Sequence, residues 1–358
     1  MIKNLIALLI GTVLSLLILE VFFSLYNPFG FRQSGDRIVL PSNYSIAVDN
    51  NEIPGLDSVI IHTKNSLGFR GEELGSDFED KTSFIAVGGS TTECFLNSDG
   101  KDWVSLLSQR LKKVNGNIWM NNAGYNGHST YGHQILIEDI IVQLKPDFVV
   151  LLVGCNDIER TDLTKGDNRV LKRSSSIKSF LRNNSQLIDV VLNLKRSVLA
   201  NKRGLWFEKV EFEELPNVDS IAMPSLESIK ESQKTFNQDF RKRLLDIILT
   251  LRTNDIEPIL ITQPSLVGEG YDPVTNIDLE KIQYCDDAGG YVYWQKLETY
   301  NAVTREVAEK EHVHLIDLAQ ELTKSTDLFF DCVHFTNQGN VEVARLIYDG
   351  LQPILMDL

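Results

Sequence analysis

From Lys81 to Leu351 the sequence alternates five times between a short β-rich run and a stretch of helical spacing, a pattern few folds accept. The β-rich runs are 83–87, 118–120, 148–153, 259–262 and 313–316. Between them, apolar residues recur every three or four positions, as in Trp103, Leu107 and Leu111, or Phe240, Leu244, Ile247 and Leu251. That period predicts helices over 103–114, 131–144, 236–251, 297–311 and 340–351. Strands joined through helices run parallel, with helices on both faces of the sheet. The unbroken apolarity of Phe148-Val149-Val150-Leu151-Leu152-Val153 suits a strand covered on both sides. The expectation is therefore an α/β domain with a five-stranded parallel sheet of the flavodoxin-like, doubly wound kind. In such sheets ligands gather at the carboxyl ends of the strands, so chemistry is to be sought just after each run.

Four clusters stand at those positions. Gly88-Gly89-Ser90-Thr91 follows the first run. Its glycines permit a sharp turn that exposes the serine, although a serine-capped βα turn would use the same residues. Gly124 lies in Ala123-Gly124-Tyr125-Asn126 after the second run, where a backbone N–H can approach a substrate oxygen. Gly154-Cys155-Asn156-Asp157 follows the third run and offers a carboxamide that can donate to an oxyanion, or form an Asx turn. Asp331-Cys332-Val333-His334 precedes the last helix, which Thr336 is placed to start. Asp and His three apart share one side of a helical turn, so the aspartate can orient a histidine that faces the serine. Thr92 occupies the second glycine position of a G-x-S-x-G elbow, which excludes that motif.

Taken together and in this order, the clusters resemble the blocks of the SGNH (GDSL-like) hydrolase family: Gly88-Gly89-Ser90, Gly124, Gly154-x-Asn156-Asp157 and Asp331-x-x-His334. The resemblance covers about residues 81–351. It implies a three-layer α/β/α fold and hydrolysis or transfer of ester-linked acyl groups. Ser90 would be the nucleophile, with Asp331 and His334 as its partners. The oxyanion hole would map to the Ser90 N–H, the Gly124 N–H and the Asn156 amide. No cofactor and no metal is required. Gly89 replaces the aspartate of the usual Gly-Asp-Ser, which removes a carboxylate beside the site. The Gly-Gly-Ser-Thr form resembles that of membrane-anchored bacterial proteins associated with cell-surface polysaccharides. The expected activity is a serine esterase removing acyl, foremost acetyl, groups from cell-surface or exported carbohydrate. An O-acyltransferase to polysaccharide with the same residues, a lipid esterase or thioesterase, and a non-catalytic saccharide-binding or assembly protein are the alternatives.

The N-terminus carries a second constraint. Leu5 to Tyr26 is apolar apart from Gly11, Thr12, Ser15, Glu20 and Ser24, and about 20 such residues span a bilayer as a helix. A cleavable signal peptide has a shorter core and a small-residue exit. Ser24-Leu25-Tyr26-Asn27-Pro28 makes a poor one. The expectation is an uncleaved anchor over 5–26, with residues 1–4 in the cytoplasm on the strength of Lys3 and the amino terminus. A stalk would follow over 27–80, punctuated by Pro28, Gly30, Pro41, Pro54 and Gly55. The hydrolase-like domain would fill 81–356 on the extracytoplasmic side. Glu20 is costly within such a span unless snorkelling or a partner helix relieves it.

A net charge of -14 over 358 residues argues against general nucleic-acid binding. That charge is unevenly distributed. Residues 159–228 form an insertion far longer than an ordinary βα connection. Within it, residues 165–203 carry ten Lys or Arg against Asp167 and Asp189, a net of +8. With an apolar stripe through Ile177, Phe180, Leu181, Leu187, Ile188, Val191, Leu192 and Leu194, this stretch reads as a pair of helices capping the active site. Its basic face would meet anionic lipid or acidic polysaccharide, or simply be solvated. The four cysteines include no C-x-x-C pair. Cys155 and Cys332 are expected as two small buried hydrophobes flanking one site.

Overall fold

The computed structural model describes residues 2–26, 33–34, 37–50, 52–160, 167, 184–201, 209–218 and 223–356. The chain forms two compact units. One joins residues 1–41 to residues 168–207, and the other, the body, comprises 42–167 and 208–358.

In the first unit, α1 spans Ile2–Leu25 and α6 spans Gln186–Asn201. A short hairpin pairs β1 (Gln33–Ser34) with β2 (Arg37–Ile38). Much of the expected helical insertion, 161–166 and 168–183, lies outside the described residues.

The body begins with an antiparallel hairpin of β3 (Tyr44–Asp49) and β4 (Val59–Lys64) and a two-residue strand, β5 (Arg70–Gly71). The central strands are β6 (Thr82–Gly88), β7 (Ile118–Asn122), β8 (Phe148–Leu152), β9 (Glu257–Ile261) and β10 (His314–Ile316). Their order is β10-β9-β8-β6-β7-β5, with every pair from β10 to β7 parallel. The sheet is thus mixed and six-stranded, which corrects the expected five-stranded parallel sheet. The sixth strand pairs Arg70 with Asn122 and Gly71 with Asn121, antiparallel, at the edge. Two residues are too few to carry any periodic signal. Residues 42–80, expected as a stalk lead-in, bury Ile60, Phe69 and Arg70 in the body.

Alternation places side chains on both sheet faces. Phe84, Ala86, Val150, Leu152, Ile259 and Ile261 share a core with Trp103, Leu107 and Leu111 of α3 (Trp103–Val114). Val343, Ile347 and Leu351 of α9 (Asn337–Leu355) join that core. The intervening Ile85, Val87, Val149, Leu151 and Leu260 are fully buried as well. Both faces are therefore covered, as a parallel sheet requires. Helices α7 (Leu226–Arg252) and α8 (Gly290–Glu311) pack on each other and on α4 (Thr130–Leu136) or β9. A π-helical turn at Ile137–Ile141 joins α4 to α5 (Val142–Leu144), where one continuous helix was predicted. Thr336 caps α9, its hydroxyl accepting from the Gly339 N–H at 2.9 Å.

Candidate active site

The chain leaves β6 at Gly88 and turns through Gly89 into the single helical turn α2, Ser90–Glu93. A side chain at position 89 would collide with the Asn156 carboxamide, so glycine is what lets the third cluster lie against this turn. The turn is held from behind by Arg70, whose guanidinium is buried. It donates to the carbonyls of Glu93 and Cys94, both at 2.7 Å, and of Asn97 at 2.8 Å. The Trp103 indole donates to the Thr91 carbonyl at 3.0 Å. Glu93 adds a buried ion pair with Lys64 at 3.4 Å and accepts from the Asn126 N–H at 2.6 Å. Arg70 escaped the sequence reading. An arginine before a glycine in a turn-like stretch gives no sign that it will be buried.

The fourth cluster approaches Ser90 from the other side. His334 Nε2 lies 2.7 Å from the Ser90 hydroxyl, and its Nδ1 lies 2.6 Å from Asp331 Oδ2. Asp331 Oδ1 accepts from the N–H groups of Val333 (2.9 Å) and His334 (2.8 Å), which fixes the carboxylate on its own loop. Burial acts to raise the Asp331 carboxyl. The positive charge and hydrogen bonds of His334, with the two N–H donors, outweigh it and hold the group below its ordinary value. The Phe330 ring stacks on the imidazole at 5.7 Å with the planes 13° apart. Such a row allows His334 to take the hydroxyl proton while Asp331 stabilises the imidazolium.

The three expected oxyanion donors converge on the turn but are engaged differently. Ser90 heads α2. One amide hydrogen of Asn156 is donated to the His128 carbonyl at 2.9 Å, and a carboxamide has two. The Gly124 N–H is donated to the Asn122 side chain at 2.9 Å, although Gly124 itself packs against the backbone of Thr92 and Glu93. Asp157 turns away and accepts from the Thr130 N–H at 3.2 Å and from Arg243 at 3.2 Å, anchoring the start of α4. Burial raises its carboxyl.

Cys332 forms a disulfide with Cys285, Cα atoms 6.0 Å apart across 47 residues of sequence. That corrects its expected role as a small buried hydrophobe, and nothing in the cysteine spacing pointed to Cys285. Cys155 is a free thiol beside Gln263. Burial of the thiol pushes it up to about 12, which keeps it protonated, although the residue as a whole is only half-buried. His128 and His133 lie close together, with ring centroids 6.2 Å apart, and burial drives the His133 imidazole far down. No cluster of His, Cys, Asp and Glu fit to hold a metal occurs among the described residues.

The model of the GDSL-like lipase/acylhydrolase family matches residues 86–341. The chain belongs to that family, a class of ester hydrolases. No curated protein matches it by sequence. Among solved structures it is similar to the acetyl xylan esterase AlAXEase, at 18% identity, covering 75% of this chain and 99% of that one, TM-score 0.44. It is similar to Axe2, an acetylxylan esterase from Geobacillus stearothermophilus, at 15% identity, with 76% and 94% covered, TM-score 0.43. A putative lipolytic protein of the G-D-S-L family from Desulfitobacterium hafniense DCB-2 gives 13% identity, 76% and 100% covered, TM-score 0.40.

Proposed function

We propose that this protein is a membrane-anchored serine esterase that removes acetyl groups from carbohydrate outside the cytoplasm. The observation that carries the esterase reading is the imidazole of His334, within hydrogen-bond reach of both the Ser90 hydroxyl and the Asp331 carboxylate. His334 takes the hydroxyl proton as Ser90 Oγ attacks the acyl carbonyl. The oxyanion is met by the Ser90 N–H and the second Asn156 amide hydrogen. The Gly124 N–H joins them once it turns from Asn122. His334 then protonates the leaving alcohol, and water, deprotonated by the same imidazole, releases the acid from the acyl-enzyme. Asp331 stays ionised throughout and fixes the ring.

The location rests on two observations. Helix α1 is 24 residues long and contains an 18-residue stretch of mean hydropathy 2.6, enough to cross the hydrocarbon core. The Cys285–Cys332 bridge suits an oxidising compartment. The carbohydrate substrate rests on the likeness of Gly88-Gly89-Ser90-Thr91 to the polysaccharide-associated form of the motif. The basic insertion 165–203 is a second contact, for anionic lipid or an acidic polysaccharide. The test is mass spectrometry of the detergent-solubilised full chain incubated with an acetylated oligosaccharide and an unacetylated acceptor. Free acetate with deacetylated sugar supports the proposal. Acetyl on the acceptor makes the enzyme an O-acyltransferase. Turnover of neither sugar nor an aryl acetate leaves the binding-protein alternative.

A further inference from the structure

Glu20 is the one acidic residue in the apolar run 5–26, and the structure gives it a specific partner. Its Oε1 accepts from the Gln186 N–H at 2.6 Å, and its Oε2 accepts from the Ser185 hydroxyl at 2.7 Å and the Leu187 N–H at 3.1 Å. The Ser185 oxygen in turn accepts from the Ile188 N–H at 3.2 Å. The first turn of a helix has N–H groups with no partner inside the helix. In α6 three of them are satisfied by one serine and one carboxylate from α1. A carboxylate is also the charge that the positive end of a helix favours. The two helices pack on each other within their own unit.

Phe22, Phe23 and Tyr26 follow Glu20 within two turns, with ring centroids 5.3 Å apart for Phe22–Phe23 and 5.8 Å for Phe22–Tyr26. Tyrosine at the end of an apolar helix marks the level of the lipid headgroups, and Tyr26 stands there, six residues after Glu20. The start of α6 is therefore tied to α1 near that level. Along α6, Val191 is 57% exposed and Leu194 40% exposed, and Lys195 beside them is exposed too. Apolar residues on one face with adjoining cations describe a helix that lies in a bilayer interface.

We infer that Glu20 clamps α6 onto the membrane anchor, so that the insertion is a second lipid-contacting element, with Val191 and Leu194 against acyl chains and Lys195 against anionic headgroups. This rests on the anchor assignment made above and extends it. Cleaving α1 as a signal peptide would remove the acceptor that completes α6, so the clamp requires the N-terminal helix in the mature protein.

The test uses the full chain in nanodiscs of phosphatidylcholine and phosphatidylglycerol. Hydrogen exchange of the peptide covering 185–190 should quicken at least tenfold in Glu20→Ala, while aryl acetate turnover is unchanged. Glu20→Gln retains one acceptor oxygen and should fall between. Tryptophan placed by Val191→Trp should add emission that brominated lipid quenches, and Glu20→Ala should at least halve that quenching. Equal exchange in wild type and Glu20→Ala, or no quenching at position 191, overturns the clamp. Intact mass and carbonate extraction separate the two failures. A chain that keeps residue 1–26 mass and resists carbonate, yet shows no effect of Glu20→Ala, refutes the clamp and leaves the anchor standing. A chain shortened at its N-terminus refutes both.

Discussion

The two sides of the candidate site are built by different means. Ser90 sits on a turn whose position follows from the sheet: β6 delivers it, Arg70 and Trp103 hold the carbonyls behind it, and all of these are buried. Asp331 and His334 sit on a loop outside the regular elements. That loop is held by its own Asp331 hydrogen bonds, by Phe330 and by a disulfide to a residue far away in sequence. A backbone hydrogen bond from Leu266 to the Cys332 carbonyl, at 2.8 Å, ties it to the segment after β9. The Ser90 side is fixed by packing and the Asp331–His334 side by local and covalent ties. Perturbing the first should cost activity through lost groups, and perturbing the second through lost alignment.

The largest effects come from removing the groups themselves. Ser90→Ala and His334→Ala should each lower kcat for an aryl acetate by about 10⁴–10⁶-fold with an unchanged circular dichroism spectrum. Near wild-type turnover by either variant would refute the assignment. Asn156→Ala removes the donor proposed for the oxyanion and should cost about 10²–10³-fold in kcat with little change in KM. Gly89→Asp restores the residue usual in the family. It should reduce activity here, by about 10–10²-fold, because the new side chain displaces Asn156 from its place against the turn. A gain in kcat for Gly89→Asp would show that the Asn156 contact has no role.

Much of the framework that places Ser90 could be read from sequence. Each of the five central strands lies within two residues of its predicted bounds, because apolar runs and the glycines after them are local signals. Ser90 and Asn156 stand right after such runs. The closeness of Asp331 and His334 could be read from their spacing, but the two lie on a loop and not on the helical turn expected, held there by the Asp331 hydrogen bonds to the Val333 and His334 N–H groups. What could not be read was everything that depends on distant partners. The Arg70 edge strand, the Cys285–Cys332 bond and the clasp of Glu20 on α6 each join segments with no shared periodicity. The Gly124 N–H illustrates the same limit. Its sequence position suits an oxyanion donor, but the Asn122 side chain, set by the end of β7, takes that hydrogen bond.

A smaller effect is expected from the covalent tie. Cys285→Ser paired with Cys332→Ser opens a loop of 47 residues, and loss of such a cross-link typically costs about 2–4 kcal/mol of stability. Without it the loop carrying Asp331 and His334 is held by hydrogen bonds and Phe330. Misplacement by 1 Å can cost about 10² in rate, and a loosened loop should cost about tenfold in kcat. The comparison predicts that dithiothreitol produces the same loss in wild type and none in the double variant. It also predicts that Arg70→Met, on the other side of the site, gains no sensitivity to reductant. Wild-type kcat unaffected by complete reduction, verified by mass, would show that the bridge stabilises the body without aligning the site.

The smallest effect concerns pH. The Asp331 carboxyl titrates below its ordinary value in the folded chain, because the attraction of His334 and the N–H donors exceeds the cost of burial. A carboxyl depressed on folding contributes stability above its unfolded value, near 3.8. That contribution is lost as pH falls through the lower, folded value. Asp331→Asn lacks the titration. The stability gap between wild type and Asp331→Asn, from urea unfolding, should therefore shrink as pH falls below about 4. Ser90→Ala retains Asp331 and His334 and should follow the wild-type curve over the whole range. If the gap instead widened on acidification, Asp331 would be bound more tightly as the acid than as the carboxylate. The row from Ser90 through His334 would then lack the negative charge that orients it.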